Sequence, residues 1–503
     1  MSTPLSILLL VTDQQRADTL GCVNPAIRTP HLDRLAAEGL RLDRLYPPTP
    51  VCLPCRASLA TGQYPSTHGA THNHSALPMD YPKVVAQAFT DAGYRTHMIG
   101  KSHLNPCHGA GSPEAAPLIF DTARYRDWHG PWYGFEHADI SVGHSTETHA
   151  ASMHYRVWLE DRGIDPERFF GHTAYAAYGV WDLPADATSS HWVAETTIAS
   201  MAAAQAEGKP FYIWANFPDP HNPCCVPEPW ASMYNPDDLP AFGFKPGEPD
   251  CFEDKPPFYR EILQTEGDYA ARYSDPAMPG ADNVSHFEWT ERQRQENAAH
   301  YYGMVSLIDE QVGRILDALE VSGQAEHTLV VFTSDHGDLL GDHGLWWKGI
   351  FAYEECLRVP GIARLPGRIP AGAVTQALTG LLDLAPTFFD FAGVAPPPWL
   401  EGRSQGAVWA HPDEEPGAGA VVVEHRPWST AWNQRILVTR THKLIVYAGR
   451  DYGELYDLAS DPDQIRNLWA DPRHHDLRDQ LMARLLSAEM NRRPVNPAVP
   501  VPL

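Results

Sequence analysis

Four short apolar runs, separated by helical patterns, constrain the fold of this chain more than any other feature of its sequence. Each run has the length of a strand and is rich in branched or aromatic residues, as is usual for buried strands. The runs lie at residues 5–11, 94–99, 211–217 and 328–333. Between them, residues 29–39 and 296–320 carry helical patterns. Strands that alternate with helices predict an α/β fold with a large mixed, mostly parallel sheet flanked by helices.

The first helical pattern carries its own start and stop signals. Thr29 occupies the N-cap position, Pro30 the first helical position, and Gly39 follows the last helical residue. A hydroxyl side chain at the N-cap and a proline just inside the helix favour helix initiation, and a glycine just past the end favours termination. We therefore expect a short helix over residues 29–39.

Polar residues of catalytic type follow each of the four apolar runs. They are Asp13, Lys101, His221 and Asp335, in the order of the runs. Ligands of open α/β sheets bind in the crevice beyond the carboxyl ends of the strands, where these residues are expected to meet. Polar residues are expected after any strand, because a turn follows it. Residues that can bind a metal or carry a positive charge after all four strands are more than turns require. The sequence therefore predicts a functional site at this edge of the sheet.

The pattern changes after about residue 400. Four closely spaced strand-like segments, at residues 421–424, 435–439, 443–447 and 454–458, indicate an antiparallel meander. A helical pattern over residues 475–490 follows. We therefore expect a catalytic domain at residues 1–399 and a small α+β domain with an antiparallel sheet at residues 400–503.

Composition narrows the function classes. The net charge of −25 argues against binding to nucleic acid or to an anionic membrane surface, because both require basic faces. The apolar run at residues 5–11 is too short to span a membrane and lacks the basic flank of a signal peptide. Eight cysteines spread over 503 residues do not resemble a disulfide scaffold. We expect a cytoplasmic protein with mostly reduced thiols.

The segment Cys52-Leu53-Pro54-Cys55-Arg56 is the most specific motif. Cys-x-x-Cys by itself fits a redox pair or half of a zinc site, and both interpretations remain open from these residues alone. The pattern Cys-x-Pro-x-Arg, however, resembles the signature at which type I sulfatases have their cysteine oxidised to formylglycine. Pro54 and the apolar pattern after it suggest that position 52 starts a helix, with backbone N–H groups facing an anion.

Further segments are similar to blocks of the formylglycine-dependent arylsulfatases, which belong to the alkaline phosphatase superfamily, and they occur in the family's order. They lie at residues 10–18, 29–35, 100–104, 220–223, 334–338 and 454–458. The resemblance covers nearly the whole chain. It implies an alkaline phosphatase-like fold and hydrolysis of an aryl or alkyl sulfate monoester.

The resemblance also implies one divalent cation. Its ligands would be Asp13, Gln14, the modified side chain of Cys52, Asp335 and His336. Gln14 stands where the family often has a second aspartate, and the lost negative charge should weaken calcium binding. We expect Ca²⁺, with Mn²⁺ as the alternative, because one ligand is an imidazole.

Catalytic roles follow from the same resemblance. Arg56, Lys101 and Lys348 would supply positive charge, and a hydroxyl of the formylglycine hydrate would attack sulfur. His221 and Lys348 would protonate the leaving group, and His103 would take the proton of the second hydroxyl. The substrate would contact Lys101, His221, Lys348 and Asn73. The alternative for Lys348 is a solvated loop lysine, and the alternative for Asn73 is a turn asparagine.

Several further expectations concern partners and neighbouring segments. The resemblance implies a small-molecule sulfate ester, a formylglycine-generating enzyme during maturation and a homo-oligomer. The irregular segment at residues 105–191 is expected to form a lid over the pocket or an oligomer contact. His68, His72 and His74 are interpreted as loop residues. The alternative functions are a phosphonate monoester or phosphodiester hydrolase of the same superfamily, and a non-catalytic metal-binding or redox protein that uses Cys52 and Cys55.

Overall fold

A mixed sheet lies at the centre of the protein. The computed structural model describes residues 4–109, 111–171, 174, 177–240, 242–263, 289–412, 419–426 and 432–492. The strands within these residues are β1 (Ser6–Thr12), β2 (Leu40–Leu42), β3 (Leu45–Tyr46), β4 (Arg95–Lys101), β5 (His137–Ser141), β6 (Tyr178–Val180), β7 (Phe211–Asn216), β8 (Cys224–Val226), β9 (Thr328–Ser334), β10 (Gly361–Arg364), β11 (Ala373–Thr375), β12 (Thr379–Gly380), β13 (Val421–His425), β14 (Gln434–Val438), β15 (His442–Tyr447) and β16 (Gly453–Asp457).

The main sheet has eight strands in the order β11-β2-β10-β9-β1-β7-β4-β5. The five strands from β9 to β5 are mutually parallel, whereas β10 runs antiparallel to both of its neighbours. The four apolar runs of the sequence form β1, β4, β7 and β9, with boundaries shifted by one or two residues. The predicted mixed, mostly parallel sheet is therefore confirmed, and its parallel strands bring their carboxyl ends to one edge.

Helices cover both faces of this sheet. The α-helices of the described residues are α1 (Pro30–Ala37), α2 (Cys52–Thr61), α3 (Pro65–His68), α4 (Val85–Asp91), α5 (Thr122–Asp127), α6 (Met153–Asp161), α7 (Pro166–Phe169), α8 (Ser189–Glu207), α9 (Pro257–Leu263), α10 (Glu291–Val321), α11 (Glu354–Leu357), α12 (Leu384–Ala392), α13 (Gly406–Ala410) and α14 (His475–Met490).

Alternate residues of the central strand β1 enter two different hydrophobic layers, as the two-residue period of a strand requires. Leu8 and Leu10 pack with apolar residues of α1, α8 and α10. Ile7 and Leu9 pack on the opposite face with residues of α2, α4 and α12. Because both faces are covered, β1 is an uninterrupted apolar run in the sequence.

The start of α1 differs in detail from the sequence expectation. Thr29 makes no capping hydrogen bond with its side chain, and its hydroxyl instead donates to Asp33. The carboxylate of Asp309, from α10, accepts hydrogen bonds from the backbone N–H groups of His31 and Leu32 at 3.2 and 2.7 Å. A long-range carboxylate therefore satisfies the N–H groups that a local hydroxyl was expected to satisfy, and no local pattern reveals it.

The C-terminal part contains the predicted meander. Strands β13 to β16 form a four-stranded antiparallel sheet in chain order. Helix α14 packs on it through Leu481 and Leu485, which lie against apolar side chains of all four strands. The fold class is thus confirmed for this part as well. The domain boundary at residues 399 and 400 stays a prediction, and residues 413–418, 427–431 and 493–503 lie outside the described part of the chain.

The segment at residues 105–191 is more regular than its sequence suggests. It contains β5, which pairs in parallel with β4 and forms one edge of the main sheet. Its roles as a lid or an oligomer contact stay predictions, and residues 110, 172, 173, 175 and 176 lie outside the described residues. No helix in the described part of the chain combines the length and apolar character needed to cross a membrane.

Candidate active site

Cys52 is the first residue of α2, as the motif predicts, and it is buried. The next backbone N–H, of Leu53, donates to Oδ1 of Asn73 at 3.1 Å, and Pro54 has no N–H. This corrects the expectation that this helix start presents a row of free N–H groups to an anion, because Asn73 already takes the first of them. Cys55 donates its thiol hydrogen to the backbone carbonyl of Asp335, and burial raises the pKa of this thiol well above its usual value. Cys55 has the environment of an inert structural thiol.

Four predicted metal ligands meet beside the start of α2. Asp13, Cys52, Asp335 and His336 are all buried, and each offers one ligand atom within 4.8 Å of the others. We call these four residues the ligand cluster. Nδ1 of His336 donates to the carbonyl of Gly337 at 2.8 Å, which leaves Nε2, 3.0 Å from Sγ of Cys52, as the ring atom that faces the cluster. An imidazole oriented in this way by its second nitrogen is typical of metal-binding histidines.

Arg56 connects the two carboxylates of the ligand cluster. Its Nε donates to Oδ2 of Asp335 at 2.9 Å, and its NH2 group donates to Oδ2 of Asp13 at 3.2 Å. NH1 donates to Oδ1 of Asn216 at 2.9 Å and to the backbone carbonyl of Lys101 at 3.1 Å. A fully buried guanidinium with these partners fixes both carboxylates, so Arg56 is not a surface residue of the first helical turn.

Lys101 ends β4, and its ammonium donates to Oδ2 of Asp13 and to Nε2 of His144. Gly100, just before it, has a φ of +85°, and a Cβ there would lie 1.9 Å from the backbone oxygen of Asn216. The glycine therefore permits the close approach of β4 to β7 that places Lys101 against Asp13. His103 follows with a φ of 49°, and its buried Nδ1 has no hydrogen-bond partner among the described residues.

His221 and Lys348 form a hydrogen-bonded pair in the same site. Nδ1 of His221 donates to the carbonyl of Asn222 at 2.6 Å, so its Nε2 accepts from the Lys348 ammonium at 3.0 Å. The same ammonium donates to Oε1 of Gln14 at 2.5 Å. The amide nitrogen of Gln14 donates to Asp338 at 2.5 Å. Because the Gln14 oxygen faces Lys348 here, its role as a metal ligand stays a prediction.

His144 is a site residue that the sequence interpretation missed. Its ring stacks on that of His221 with centroids 3.5 Å apart, and its Nδ1 donates to Oε2 of Glu147 at 2.9 Å. Asp13, His144 and His221 could hold a metal by spacing alone, but the ammonium of Lys101 already bonds to the first two. His144 follows shortly after β5, as the other catalytic candidates follow their strands. This position was the sequence signal that could have identified it.

Burial and three cationic side chains, those of Arg56, Lys101 and Lys348, set the charges of the site. Burial favours the neutral form of Asp13, but Lys101 and Arg56 outweigh it and hold the pKa of this carboxyl well below its usual value. Burial, with Lys348 and Lys101, holds the pKa of His221 well below its usual value. Burial and Lys101 do the same to the pKa of His103. An ionised Asp13 carboxylate beside the neutral imidazoles of His103 and His221 suits the binding of a cation.

The cysteine thiol has opposing neighbours. Burial and the Asp13 carboxylate raise the pKa of Cys52, whereas Lys348, His336 and Lys101 lower it, and the net shift is downward. A thiol with a lowered pKa is a reactive one, in contrast to Cys55 three positions later.

A cavity of about 340 Å³ opens beside these residues. Asn73, His103 and His144 contribute to its wall, so Asn73 both caps α2 and lies at the cavity as expected. His68, at the end of α3, has a structural contact instead. Nε2 of His68 lies 3.0 Å from the Ser58 hydroxyl, and burial lowers the pKa of His68 to about 3.

Comparison with known families decides the relationship of the chain. The sulfatase family model matches residues 6–394, which is more than half of the chain. The chain belongs to the sulfatase family. This membership confirms both the predicted type I sulfatase relationship and the predicted enzyme class, a sulfuric ester hydrolase. A second model, for the C-terminal region of N-sulphoglucosamine sulphohydrolase, matches residues 341–491.

Individual relatives within and around this family share most of its length. An arylsulfatase of Clostridium perfringens is 28% identical over 489 residues, which cover 92% of this chain and 90% of the relative. An N-acetylglucosamine-6-O-sulfatase of Bacteroides thetaiotaomicron is 26% identical over 530 residues, covering 95% and 85%. The solved phosphonate monoester hydrolase of Silicibacter pomeroyi superposes with a TM-score of 0.78 and 26% identity, covering 97% and 96%.

Proposed function

We propose that this protein hydrolyses a sulfate monoester, with formylglycine made from Cys52 as the nucleophilic group and a divalent cation beside it. The observation that carries the proposal is the position of Cys52. It begins α2 within the ligand cluster, 3.0 Å from Nε2 of His336, and lies in a Cys-x-Pro-x-Arg motif.

The donor set of the ligand cluster fits one divalent cation. Two carboxylates and the imidazole of His336 converge there, and both kinds of group are ligands for divalent cations. We propose Ca²⁺, with Mn²⁺ as the alternative, because carboxylate oxygens suit both and the imidazole favours the second. A bound cation would acidify the formylglycine hydrate and neutralise sulfate oxygens.

The chain's own side chains divide the remaining work. Lys101 and Lys348 present positive charge toward a bound sulfate group, which lowers the cost of charge in the transition state. Lys348 and His221 share a hydrogen bond and together deliver a proton to the departing oxygen. His103, with its unpartnered Nδ1, accepts the proton that must leave before the sulfate is released.

Hydrolysis of a phosphonate monoester is the second candidate. One observation favours it, the 26% identity and 0.78 TM-score to the Silicibacter pomeroyi phosphonate monoester hydrolase. Sulfate and phosphonate monoesters both present anionic oxygens around a tetrahedral centre, so the same cations can serve either substrate.

A rate comparison with mass spectrometry tests the proposal. We expect an aldehyde at position 52 in a fraction of molecules that scales with activity, and higher kcat/KM for 4-nitrophenyl sulfate than for a 4-nitrophenyl phosphonate monoester. Cys52→Ala should abolish turnover without lowering Tm, whereas Cys22→Ala, at an exposed cysteine, should change neither. Full activity with an unmodified thiol at position 52 would exclude the proposed nucleophile, and a preference for the phosphonate would select the second candidate.

Maturation requires a partner. We propose that a formylglycine-generating enzyme modifies Cys52 before α2 is buried, because the residue is inaccessible in the folded chain. We further propose that the protein acts in the cytoplasm and forms a homo-oligomer. The eight cysteines are all free thiols in the structure, which agrees with a reducing compartment.

A further inference from the structure

The cavity beside the ligand cluster has a wall of unusual composition. The described residues that line it are Asn73, His74, His103, Cys107, His108, Gly143, His144, Glu147, Thr148, His149 and Gly171. Five of these are histidines, and none of the described ones carries an aliphatic or phenyl-type side chain. We call His103, His108, His144, Glu147 and His149 the imidazole wall. Such a surface offers many hydrogen-bonding groups and little to pack against hydrocarbon.

Three aromatic residues of the segment at residues 105–191 have their contacts away from this cavity. Tyr125, Trp132 and Tyr133 are buried in the hydrophobic layer under the sheet. Trp132 donates its indole N–H to Ser102, and the Tyr133 hydroxyl donates to the carbonyl of Leu77. These rings therefore do not form a stacking surface or a cage for a cationic head group, which would need aromatic faces turned to the cavity.

The residues of the imidazole wall differ in how deeply they are buried. His103 and His144 are buried at its floor, Glu147 and His149 are half-buried, and His108 is exposed. Burial lowers the pKa of His149. A neutral imidazole offers one donor and one acceptor, which is the pairing that a hydroxyl group needs. The unpartnered Nδ1 of His103 adds a buried polar atom without a protein partner among the described residues.

We propose that this cavity is the leaving-group subsite and that it selects an uncharged, hydroxyl-rich alcohol of about one sugar ring. The inference rests on the proposed sulfatase function and adds the class of its substrate, a sulfated monosaccharide or short polyol. A volume of about 340 Å³ lies at the lower end of the range for small-molecule sites, roughly 300–1,000 Å³, and suits a single ring. His149 and Thr148, above the catalytic residues, are its specificity-determining residues.

A matched pair of substrates tests the inference. Glucose 6-sulfate and cyclohexylmethyl sulfate both carry a primary sulfate on a six-membered ring, but only the first has hydroxyl groups. We expect kcat/KM for the better of glucose and galactose 6-sulfate to exceed that for cyclohexylmethyl sulfate by at least about a hundredfold, because a site built for hydroxyls rejects analogues that lack them. Choline sulfate should also be poorer than the sugar esters.

Two variants connect this ratio to the imidazole wall. His149→Phe keeps a ring but removes its hydrogen-bonding atoms, and Thr148→Val removes an exposed hydroxyl with almost no change in shape. We expect the sugar-to-cyclohexyl ratio to fall at least about tenfold in His149→Phe and less in Thr148→Val. His327→Phe makes the first exchange at an exposed histidine distant from the cavity and should leave the ratio unchanged.

The outcomes separate this inference from the proposed function. If 4-nitrophenyl sulfate is hydrolysed but hydroxyl groups bring no advantage, or if cyclohexylmethyl or choline sulfate is preferred, the subsite is wrong and the sulfatase proposal stands. An unchanged ratio in both His149→Phe and Thr148→Val also overturns the subsite. If no sulfate ester is hydrolysed by protein carrying the aldehyde, both proposals fail.

Discussion

The ligand cluster and the imidazole wall adjoin each other in the same site, yet the sequence positions them in different ways. Asp13, Asp335 and His336 directly follow two neighbouring central strands, whose parallel pairing fixes them together. The imidazole wall comes from the turns after β4 and β5, and β5 pairs only at the edge of the sheet. The ligand cluster therefore lies at the centre of the sheet, whereas three of the five residues of the imidazole wall follow the edge strand β5.

The ligand cluster should be the more sensitive of the two regions. Asp335→Asn removes a charge from a carboxylate that accepts hydrogen bonds from Arg56, Gln14 and His336. We expect the affinity for the metal, measured by titrating the metal-free protein, and kcat/KM for 4-nitrophenyl sulfate each to fall at least about a hundredfold, since changes outside the ligands already cost 10–100-fold. Exhaustive chelation of the unaltered protein should have the same effect on kcat/KM, reversed by adding Ca²⁺ or Mn²⁺.

The matched control for this change is Asp91→Asn, at an exposed carboxylate at the end of α4. It should retain both metal affinity and rate. Unchanged metal affinity in Asp335→Asn would show that the cation lies elsewhere, and the comparison of the two regions would lose its basis.

The physical reason for this difference also explains how much could be predicted. Strands β1, β7 and β9 are mostly apolar because both faces of the sheet are buried there, so their ends are visible in the sequence and locate Asp13, His221 and Asp335. Strand β4 carries Arg95, Thr96 and His97 before the apolar pair Met98-Ile99, and its end is marked more weakly. By contrast, β5 reads His137-Ala138-Asp139-Ile140-Ser141, with polar residues that belong to an edge strand. Its pairing with β4 depends on the whole fold, and so does the arrival of His144 in the site.

Hydrogen bonds that cross long stretches of sequence were equally invisible. Asn73 caps α2 from outside the helix, and Glu114 holds the turn after β4. Neither residue stands at a local capping position, so no spacing rule finds it. Lys348 could be assigned only through the family resemblance, because the loop that carries it has no periodic pattern.

His144 connects the two regions and should show an intermediate effect. His144→Phe preserves the stack on His221 but leaves the Lys101 ammonium without one of its acceptors. We expect kcat/KM for 4-nitrophenyl sulfate to fall about ten- to a hundredfold, mainly through kcat, because a displaced Lys101 stabilises the transition state less well. His144→Gln, which retains an acceptor, should recover part of the loss.

The control is His137→Phe, the same exchange at the opposite end of β5, where the imidazole contacts Arg95. It should be nearly as active as the unaltered protein. If His144→Phe and His137→Phe lose activity equally, His144 contributes only to the stability of the edge strand and is not a positioning residue.

Glu114 supports the imidazole wall from behind and should give the smallest effect. Its carboxylate accepts hydrogen bonds from the Ser102 hydroxyl at 2.7 Å and from the N–H groups of Leu104 and Asn105 at 3.2 Å, which fixes the turn that carries His103. Burial raises the pKa of Glu114 to about 7 despite these donors. Between the ordinary glutamate value and pH 7, the folded chain therefore holds a proton that the unfolded chain has released.

Stability should consequently fall as the pH rises through this window, because the folded state binds more protons there. Glu114→Gln cannot titrate, so the Tm of the unaltered protein minus that of the variant should be larger at pH 5 than at pH 7.5, by about 1–3 °C for a chain of this size. Glu136→Gln, at an exposed glutamate, should show a constant difference. If the Tm difference for Glu114→Gln were also independent of pH, Glu114 would be ionised throughout this range. The turn that carries His103 would then be held by a charged carboxylate. In that case the imidazoles of the imidazole wall would be neutral, but the carboxyl group behind them would be charged, as the ligand cluster is.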